Sequence, residues 1–326
     1  MRFLVTGGAG YIGSITTRTL LDAGHECVVL DTLERGHRAA VDERAIFAEG
    51  SIADSELLGR LLPGCDAVMH LAGYIEVAES VEQPEKYFRV NAAEPAAMLE
   101  VMRDHGVDAI VFSSTAAVYG EPESVPIRED ARKAPVNPYG ASKLAFEESL
   151  DEAGRVWGLR SIRFRYFNVA GAWPDGSMGE NHTPETHIIP RVLQAMRDGQ
   201  ERFEVYGDDY PTPDGTCVRD YIHVLDLAAA HRLGLERVGA GQPGGVFNLG
   251  NGRGYSNREV VNTCARIGGR EVEIAIGPRR LGDPAVLVAS AQQAHDELGW
   301  TAERGELDAI VGDAWRWHLE HPDGYR

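Results

Sequence analysis

Tyr139 and Lys143 stand four residues apart in Tyr139-Gly140-Ala141-Ser142-Lys143. On a helix, that spacing puts both side chains on one face. A free phenol titrates near pH 10, about three units too high to serve as a base at neutrality. An ammonium group beside it stabilises the phenolate and lowers that value. A tyrosine so placed can take or return a hydroxyl proton. Pro138 precedes the pair and marks a helix start. Ser113-Ser114-Thr115 closes a strand-like run, and parallel sheets gather their sites at the carboxyl ends of strands. Thr115 can therefore reach the same point and hydrogen-bond the reacting oxygen.

The proton chemistry needs an electron partner, and the N-terminus offers one. The apolar run Phe3–Thr6 leads directly into Gly7-Gly8-Ala9-Gly10-Tyr11-Ile12-Gly13 and then into an apolar helical pattern. Gly7 permits the sharp turn, Gly10 lets backbone approach a pyrophosphate, and Gly13 lets helix and strand pack closely. The pyrophosphate would lie on the helix N-terminus, where free N–H groups and the dipole favour anions. Asp31 follows the second apolar run, 18 residues after Gly13. A carboxylate there accepts from the adenine ribose hydroxyls and repels a 2′-phosphate, so NAD is expected rather than NADP. The positive nicotinamide ring of NAD would add to the effect of Lys143 on Tyr139.

Elements that alternate must hold these groups in place. Strands are expected at Phe3–Thr6, Cys27–Leu30, Ala45–Ala48, Ala67–Leu71, Ala109–Ser113 and Ser161–Arg165. Helices are expected at Ile12–Ala23, Ser55–Leu62, Glu85–His105 and Tyr139–Trp157. Strand–helix alternation means βαβ units and a doubly wound parallel sheet of Rossmann type, an α/β fold. Beyond Ala170 the texture changes. Gly, Pro and Asp gather at Gly171–Pro184 and Gly207–Gly215, as in loops that line sites. A strand is expected at Val246–Leu249 and helices at Asn257–Ile267, Ala291–Leu298 and Leu307–Glu320. This half reads as a second, smaller domain.

The 326 residues are 43% hydrophobic and carry a net charge of −18. Such an acidic surface repels nucleic acid and anionic membranes, and neither is expected as a partner. No run reaches the about 18 apolar residues of a membrane span. The first strand begins beside Met1, leaving no room for a signal peptide, so the cytoplasm is the expected compartment. Cys27, Cys65, Cys217 and Cys264 form no C-x-x-C pair. They read as free thiols in a reducing compartment, and no metal site is expected.

The motifs, taken together, have a family likeness. They are Val5-Thr6-Gly7-Gly8-Ala9-Gly10-Tyr11-Ile12-Gly13-Ser14, Phe112-Ser113-Ser114-Thr115-Ala116-Ala117-Val118-Tyr119-Gly120, Pro138-Tyr139-Gly140-Ala141-Ser142-Lys143 and Arg165-Tyr166-Phe167-Asn168. To these are added Gly207-Asp208-Asp209-Tyr210-Pro211-Thr212 with Asp214-Gly215-Thr216, Val218-Arg219-Asp220-Tyr221-Ile222-His223-Val224, and the tail His321-Pro322-Asp323-Gly324-Tyr325. Over essentially its whole length the chain resembles the extended short-chain dehydrogenase/reductases, and within them the UDP-glucose 4-epimerase (UDP-galactose 4-epimerase) family.

That resemblance implies a UDP-hexose substrate, bound NAD and inversion at C4 through a transient 4-ketosugar. It implies that Tyr139, Lys143 and Thr115 are catalytic. It assigns cofactor contacts to Gly7, Gly10, Tyr11, Ile12, Gly13, Asp31, Ser51, Ile52, Leu71, Ala72, Gly73, Asn91, Ser113, Tyr139, Lys143 and Tyr166. Substrate contacts fall to Thr115, Tyr139, Asn168, His187, Ile188, Tyr206, Arg219, Arg280, Asp283 and Leu287. Arg219, Arg280 and Asn168 would meet the diphosphate, Tyr206 the uracil and Asp283 a ribose. Leu287 would stand beside the 2-substituent of the sugar. The implied division is 1–170 plus 217–250 for the NAD-binding domain and 171–216 plus 251–326 for the UDP-sugar-binding domain. A homodimer through the helices Glu85–His105 and Tyr139–Trp157 is also implied.

The chain departs from the family pattern at four places. Ser51-Ile52 replaces an acidic pair near adenine, and Ile75 stands where some members have Lys near the cofactor phosphates. Thr115 stands where Ser is also common, and His187 stands where others have Asn. A 4,6-dehydratase would need Asp-Glu after the Thr, where this chain has Ala116-Ala117. An NAD(H)-sensing regulator would lack the Tyr–Lys pair. A 4-epimerase of UDP-N-acetylhexosamine or UDP-hexuronic acid is the remaining alternative.

Overall fold

The computed structural model describes residues 1–280 and 283–326. The strands of the first half are β1 (Arg2–Thr6), β2 (Glu26–Asp31), β3 (Ile46–Glu49), β4 (Ala67–His70), β5 (Ala109–Thr115) and β6 (Arg160–Tyr166). Those of the second half are β7 (Asn168–Ala170), β8 (Arg202–Tyr206), β9 (Val218–His223), β10 (Gly245–Leu249), β11 (Gly254–Ser256), β12 (Glu273–Gly277) and β13 (Val286–Leu287). The helices are α1 (Tyr11–Asp22), α2 (Ser55–Leu61), α3 (Val77–Glu82), α4 (Pro84–Phe88), α5 (Glu94–Asp104) and α6 (Pro138–Trp157), then α7 (Ile188–Arg197), α8 (Val224–Gly239), α9 (Asn257–Gly268), α10 (Gln292–Leu298) and α11 (Leu307–Glu320).

A seven-stranded sheet runs β3-β2-β1-β4-β5-β6-β10, and every pairing in it is parallel. The chain winds outward from β1 in both directions, so the carboxyl ends of β1 and β4 flank a crevice where the winding reverses. Side chains alternate across the sheet. Phe3, Val5 and Val29 enter a core with Leu227, Leu235 and Phe247, while Leu4, Val28 and Ile110 enter one with Leu58, Met102 and Phe146. Helices cover both faces, which is why these strands are apolar throughout.

The expected strands of the first half are present within a residue or two. The run expected as one helix at Glu85–His105 is divided: α4 and α5 are joined by a π-helical turn, Arg89–Ala93, that carries the buried Asn91. The smaller layer packs α7, α9 and α11 around Val192, Val261 and Ile310.

Three elements sit elsewhere than the expected division has them. β7 and β9, both expected in the first unit, pair with each other, and β9 also pairs with β11 and β13, in a separate small sheet. Conversely, Ala294 of α10 and Trp300 belong to the core of the large sheet, and Trp300 Nε1 donates to the Asp226 carbonyl at 2.8 Å. The reason is coverage, because β10 lies at the sheet edge and α10 packs on it. β8 and β12, about seventy residues apart in the chain, form a parallel pair of their own.

Candidate active site

Helix α6 is positioned by its first residues. Asn137 caps it, its side chain accepting from Gly140 N at 2.9 Å, and Pro138 occupies the first turn. Tyr139 therefore falls in that first turn, with Lys143 one turn on and Glu147 another. Lys143 is buried. Its Nζ donates to the Ser113 carbonyl at 3.1 Å and lies 5.0 Å from the centroid of the Phe112 ring. Burial pulls its pKa down to about 8.

Thr115 stands at the end of β5. Its hydroxyl oxygen accepts from Ala117 N at 3.1 Å, which leaves the hydroxyl proton for the Tyr139 oxygen. Burial pushes the Tyr139 phenol above its ordinary value, and the Thr115 hydrogen bond opposes that without prevailing. Lys143 itself points at a carbonyl of β5. Ser113 Oγ and the Tyr166 hydroxyl are hydrogen-bonded, and Tyr166 also lies within the field of Tyr139.

The third residue along this face, Glu147, was missed, although its i, i+4, i+8 spacing from Tyr139 and Lys143 was readable. Its buried carboxylate accepts from Arg165 Nη2 at 2.5 Å, Arg165 Nε at 2.9 Å and Ser114 Oγ at 2.6 Å. Burial alone would raise its pKa, and Arg165 outweighs burial and lowers it. Arg165 Nη1 also donates to the Tyr119 hydroxyl, which donates to Asn248 Oδ1. This network ties α6 to β5, β6 and β10 below the Tyr139–Thr115 pair.

At the carboxyl end of β1 the glycines show two kinds of constraint. A Cβ on Gly7 would lie 2.6 Å from Ala72 N, and one on Gly13 would lie 2.2 Å from the Gly7 carbonyl oxygen. Both are required by packing. A Cβ on Gly10 would meet only the Gly7 carbonyl oxygen, at 3.4 Å. That glycine leaves room for an external group over the N-terminus of α1. Asp31 accepts from Ala9 N and from Leu33 N, each at 2.9 Å, one on each oxygen, so each oxygen keeps a lone pair for a ribose hydroxyl. Ala9, Gly10 and Asp31 thus fit a dinucleotide.

The remaining cofactor-side residues take four positions. Leu71 N and Ala72 N both donate to the Thr6 carbonyl, beside the Gly7 turn. Asn91 holds both backbone polar groups of Tyr74 and donates to Ser142 Oγ at 3.2 Å, clamping the Gly73–Tyr74 loop to α6. The Tyr11 hydroxyl donates to the Gly171 carbonyl at 2.6 Å, and Ile12 packs beneath it. Ser51 and the buried Ile52 follow Gly50, whose N–H donates to the Asp31 carbonyl, so they adjoin the Asp31 end. Ile75 is exposed.

A second group gathers on the small layer. Arg219 Nη2 donates to Asp283 Oδ1 at 2.8 Å, and Leu287 lies beside Arg219 in the β13–β9 register. The Arg280 guanidinium sits 4.2 Å from the centroid of Tyr206. Arg280 and Asp283, with Glu121, Val136 and Tyr210, line a cleft of about 350 Å³. Asn168 opens β7 opposite Tyr221. Leu287 packs toward Ala116 and Phe167, next to Thr115. His187 precedes α7 and faces Glu180, and Ile188 packs into the small core.

The comparisons agree with this geometry. The family model described as "NAD dependent epimerase/dehydratase family" matches residues 3–250. The chain is 49% identical over 327 residues to the UDP-glucose 4-epimerase of Lacticaseibacillus casei, covering 100% of this chain and 99% of that one. It is 50% identical over 330 residues to that of Streptomyces lividans, covering 99% and 98%. It superposes with a TM-score of 0.93, at 35% identity and full coverage of both chains, on the UDP-glucose 4-epimerase of Bifidobacterium longum solved with NAD⁺ and UDP. The fold, the dinucleotide cradle and these likenesses over the full length place the chain in the NAD dependent epimerase/dehydratase family, among its UDP-glucose 4-epimerases.

Proposed function

We propose that the chain interconverts UDP-glucose and UDP-galactose by inverting C4 through a transient 4-ketosugar, with NAD held throughout. The observation that carries this reading is the meeting of Tyr139, Thr115 and Lys143 at the end of β5, with β4 between it and the Gly7–Gly13 turn that follows β1. When bound, NAD supplies a hydride acceptor and donor at the sugar's C4 and a positive ring that favours the phenolate of Tyr139.

Tyr139 takes the proton of the 4-hydroxyl and returns it to the same oxygen once the ketosugar has turned over. Thr115 donates to the same oxygen and fixes its position. Lys143, held on the Ser113 carbonyl, keeps a positive charge under the reacting centre. Arg219, Arg280 and Asn168 hold the diphosphate, Tyr206 stacks on uracil, and Asp283 meets a ribose. For the substrate to enter, Arg219 must share or exchange Asp283. Strong grip on the nucleotide with weak grip on the sugar lets the ketosugar turn over between the two hydride transfers.

A homodimer is part of the proposal. Phe88 on α4 and Val156 on α6 are exposed, as are Val77 and Val81 on α3, and these apolar side chains support pairing of that face. No helix among the described residues is long and apolar enough to cross a membrane. A cytoplasmic location is part of the proposal. The test is to incubate the enzyme with a panel of UDP-hexoses, follow C4 by NMR, and assay the denatured supernatant for NAD and NADP. Inversion of UDP-glucose and UDP-galactose with released NAD is the expected result. NADP, or no inversion of either sugar, would overturn the reading.

A further inference from the structure

Four side chains with metal-binding chemistry crowd together on one loop ahead of α7. Glu180, His182, Glu185 and His187 each present one ligand atom, and the four atoms lie within 4.8 Å of one another. His187 Nδ1 is 2.5 Å from Glu180 Oε1, and His182 Nδ1 is 3.2 Å from the same oxygen. Glu185 Oε1 accepts from Thr186 N and His187 N, each at 2.8 Å. Its Oε2, on a side chain only 6% exposed, has no hydrogen-bond partner and lies 3.6 Å from His182 Nδ1.

Ion pairing alone accounts poorly for this arrangement. Two imidazoles converge on one carboxylate oxygen while a buried carboxylate oxygen beside them goes without a donor, and buried polar atoms are seldom left so. A cation between the four atoms satisfies all of them. Zinc takes imidazole nitrogen and carboxylate oxygen at about 2.0–2.2 Å in a tetrahedron, whose edges are then about 3.3–3.6 Å. The His182 separations of 3.2 and 3.6 Å already match those edges. The His187–Glu180 contact opens to that length once the bridging proton leaves. Calcium and magnesium favour oxygen-only shells, so two nitrogens among four ligands select a zinc-like ion.

We propose that Glu180, His182, Glu185 and His187 form a binding site for a divalent cation of the zinc class. The site joins the two layers at the cofactor turn, because the His182 ring lies 6.4 Å from that of Tyr11 and His187 precedes α7. An ion there would fix the 180–187 loop against both.

The experiment uses tag-free holoenzyme, treated with chelator and returned to chelator-free buffer, titrated with Co²⁺ and then with Zn²⁺. One equivalent of Co²⁺ should bind with the intense visible absorption of four-coordinate cobalt, and Zn²⁺ should displace it. Glu185→Gln and His182→Asn should each weaken binding at least tenfold while keeping NAD content and the circular dichroism spectrum. X-ray absorption at the zinc edge of the wild type should show nitrogen and oxygen ligands including two imidazoles. The proposal fails if binding is not saturable, if both variants bind as the wild type does, or if the edge spectrum shows sulfur. Each of those results would leave the cluster as an ion-pair network only.

Discussion

The two walls of the cleft are built by different means. On the cofactor side, geometry is set by backbone and by buried groups. The Gly7 turn abuts Ala72 N, Asp31 is tied to Ala9 N and Leu33 N, and α6 is tied to the sheet through Glu147 and Arg165. On the substrate side, the cationic groups hold partners that could be exchanged: Arg219 on Asp283, Arg280 on the face of Tyr206. A cofactor that stays and a substrate that must enter, turn over and leave call for these different constructions. The first wall is preorganised, and the second can trade its internal contacts for a ligand's.

Substitutions at the two walls should differ in kind, and the largest effect belongs at the junction. Tyr139→Phe removes the proton carrier and little else, so turnover should fall about 10²–10⁴-fold while UDP still binds. Near-normal turnover would move the base elsewhere, with Thr115 the first place to look. Next comes the rigid wall. Glu147→Gln leaves the buried Arg165 guanidinium without its counter-charge, and breaking such a pair costs about 3–5 kcal/mol. The measurement is denaturant unfolding of Glu147→Gln beside Asp283→Asn. Asp283 is on the exchangeable wall, and its loss should change the KM for UDP-hexose far more than stability. Equal losses of stability in the two variants would erase the distinction between the walls.

Leu287 tests the substrate wall more finely. It is half-buried beside Ala116 and pairs with Arg219. If it meets the sugar's 2-substituent, a modest clash is worth about 10–200-fold in relative efficiency. UDP-glucose and UDP-galactose should be preferred over their N-acetyl counterparts, and Leu287→Ser should narrow the gap. Equal kcat/KM on both pairs in the wild type, unchanged by the substitution, would show that Leu287 is no gate.

The smallest effect is one of pH. Lys143 titrates at about 8 in the fold against 10.5 for a free lysine. Between those values the folded chain binds fewer protons than the unfolded one, so this group's contribution makes stability rise with pH there, and its burial penalty is full only below about pH 8. Turnover should move the opposite way, falling above about pH 8 as the ammonium beside Tyr139 is lost. Thermal melts and kcat profiles over the same buffers test this opposition. In Lys143→Met, both slopes should flatten.

Much of the cofactor wall was legible in the sequence because it rests on local rules. The glycine spacing, the apolar runs and the cap at Asn137-Pro138 are short-range signals, and Tyr139, Lys143 and Glu147 share a helix face by arithmetic. The substrate wall was legible only through family likeness. Arg219 and Asp283 are 64 residues apart in the chain, and Arg202–Tyr206 finds its partner in Glu273–Gly277. No local pattern encodes such pairings. The same limit misplaced β9, whose apolar run resembles a strand of the large sheet but whose partners are β7, β11 and β13. It also hid the upward push of burial on the Tyr139 phenol, since desolvation depends on everything packed around the ring. Helix α8 escaped notice for another reason: Val224–Gly239 is buried along much of its length and lacks a sharp polar face.

The strand order also bears on how the molecule is made. Strand β1 leaves the ribosome before β4 yet needs it on its inner side, and β6 must wait for residues 245–249 before its outer edge is covered. During synthesis a nearly complete parallel sheet therefore exists with β6 as a bare rim until the roughly eighty residues between β6 and β10 have followed. Unpaired rims are templates for association between chains, and parallel pairings close slowly because distant segments must meet. Truncations ending before Gly245 should thus be recovered as aggregates, and yield should depend on synthesis rate and on chaperones more than on the stability of the finished enzyme.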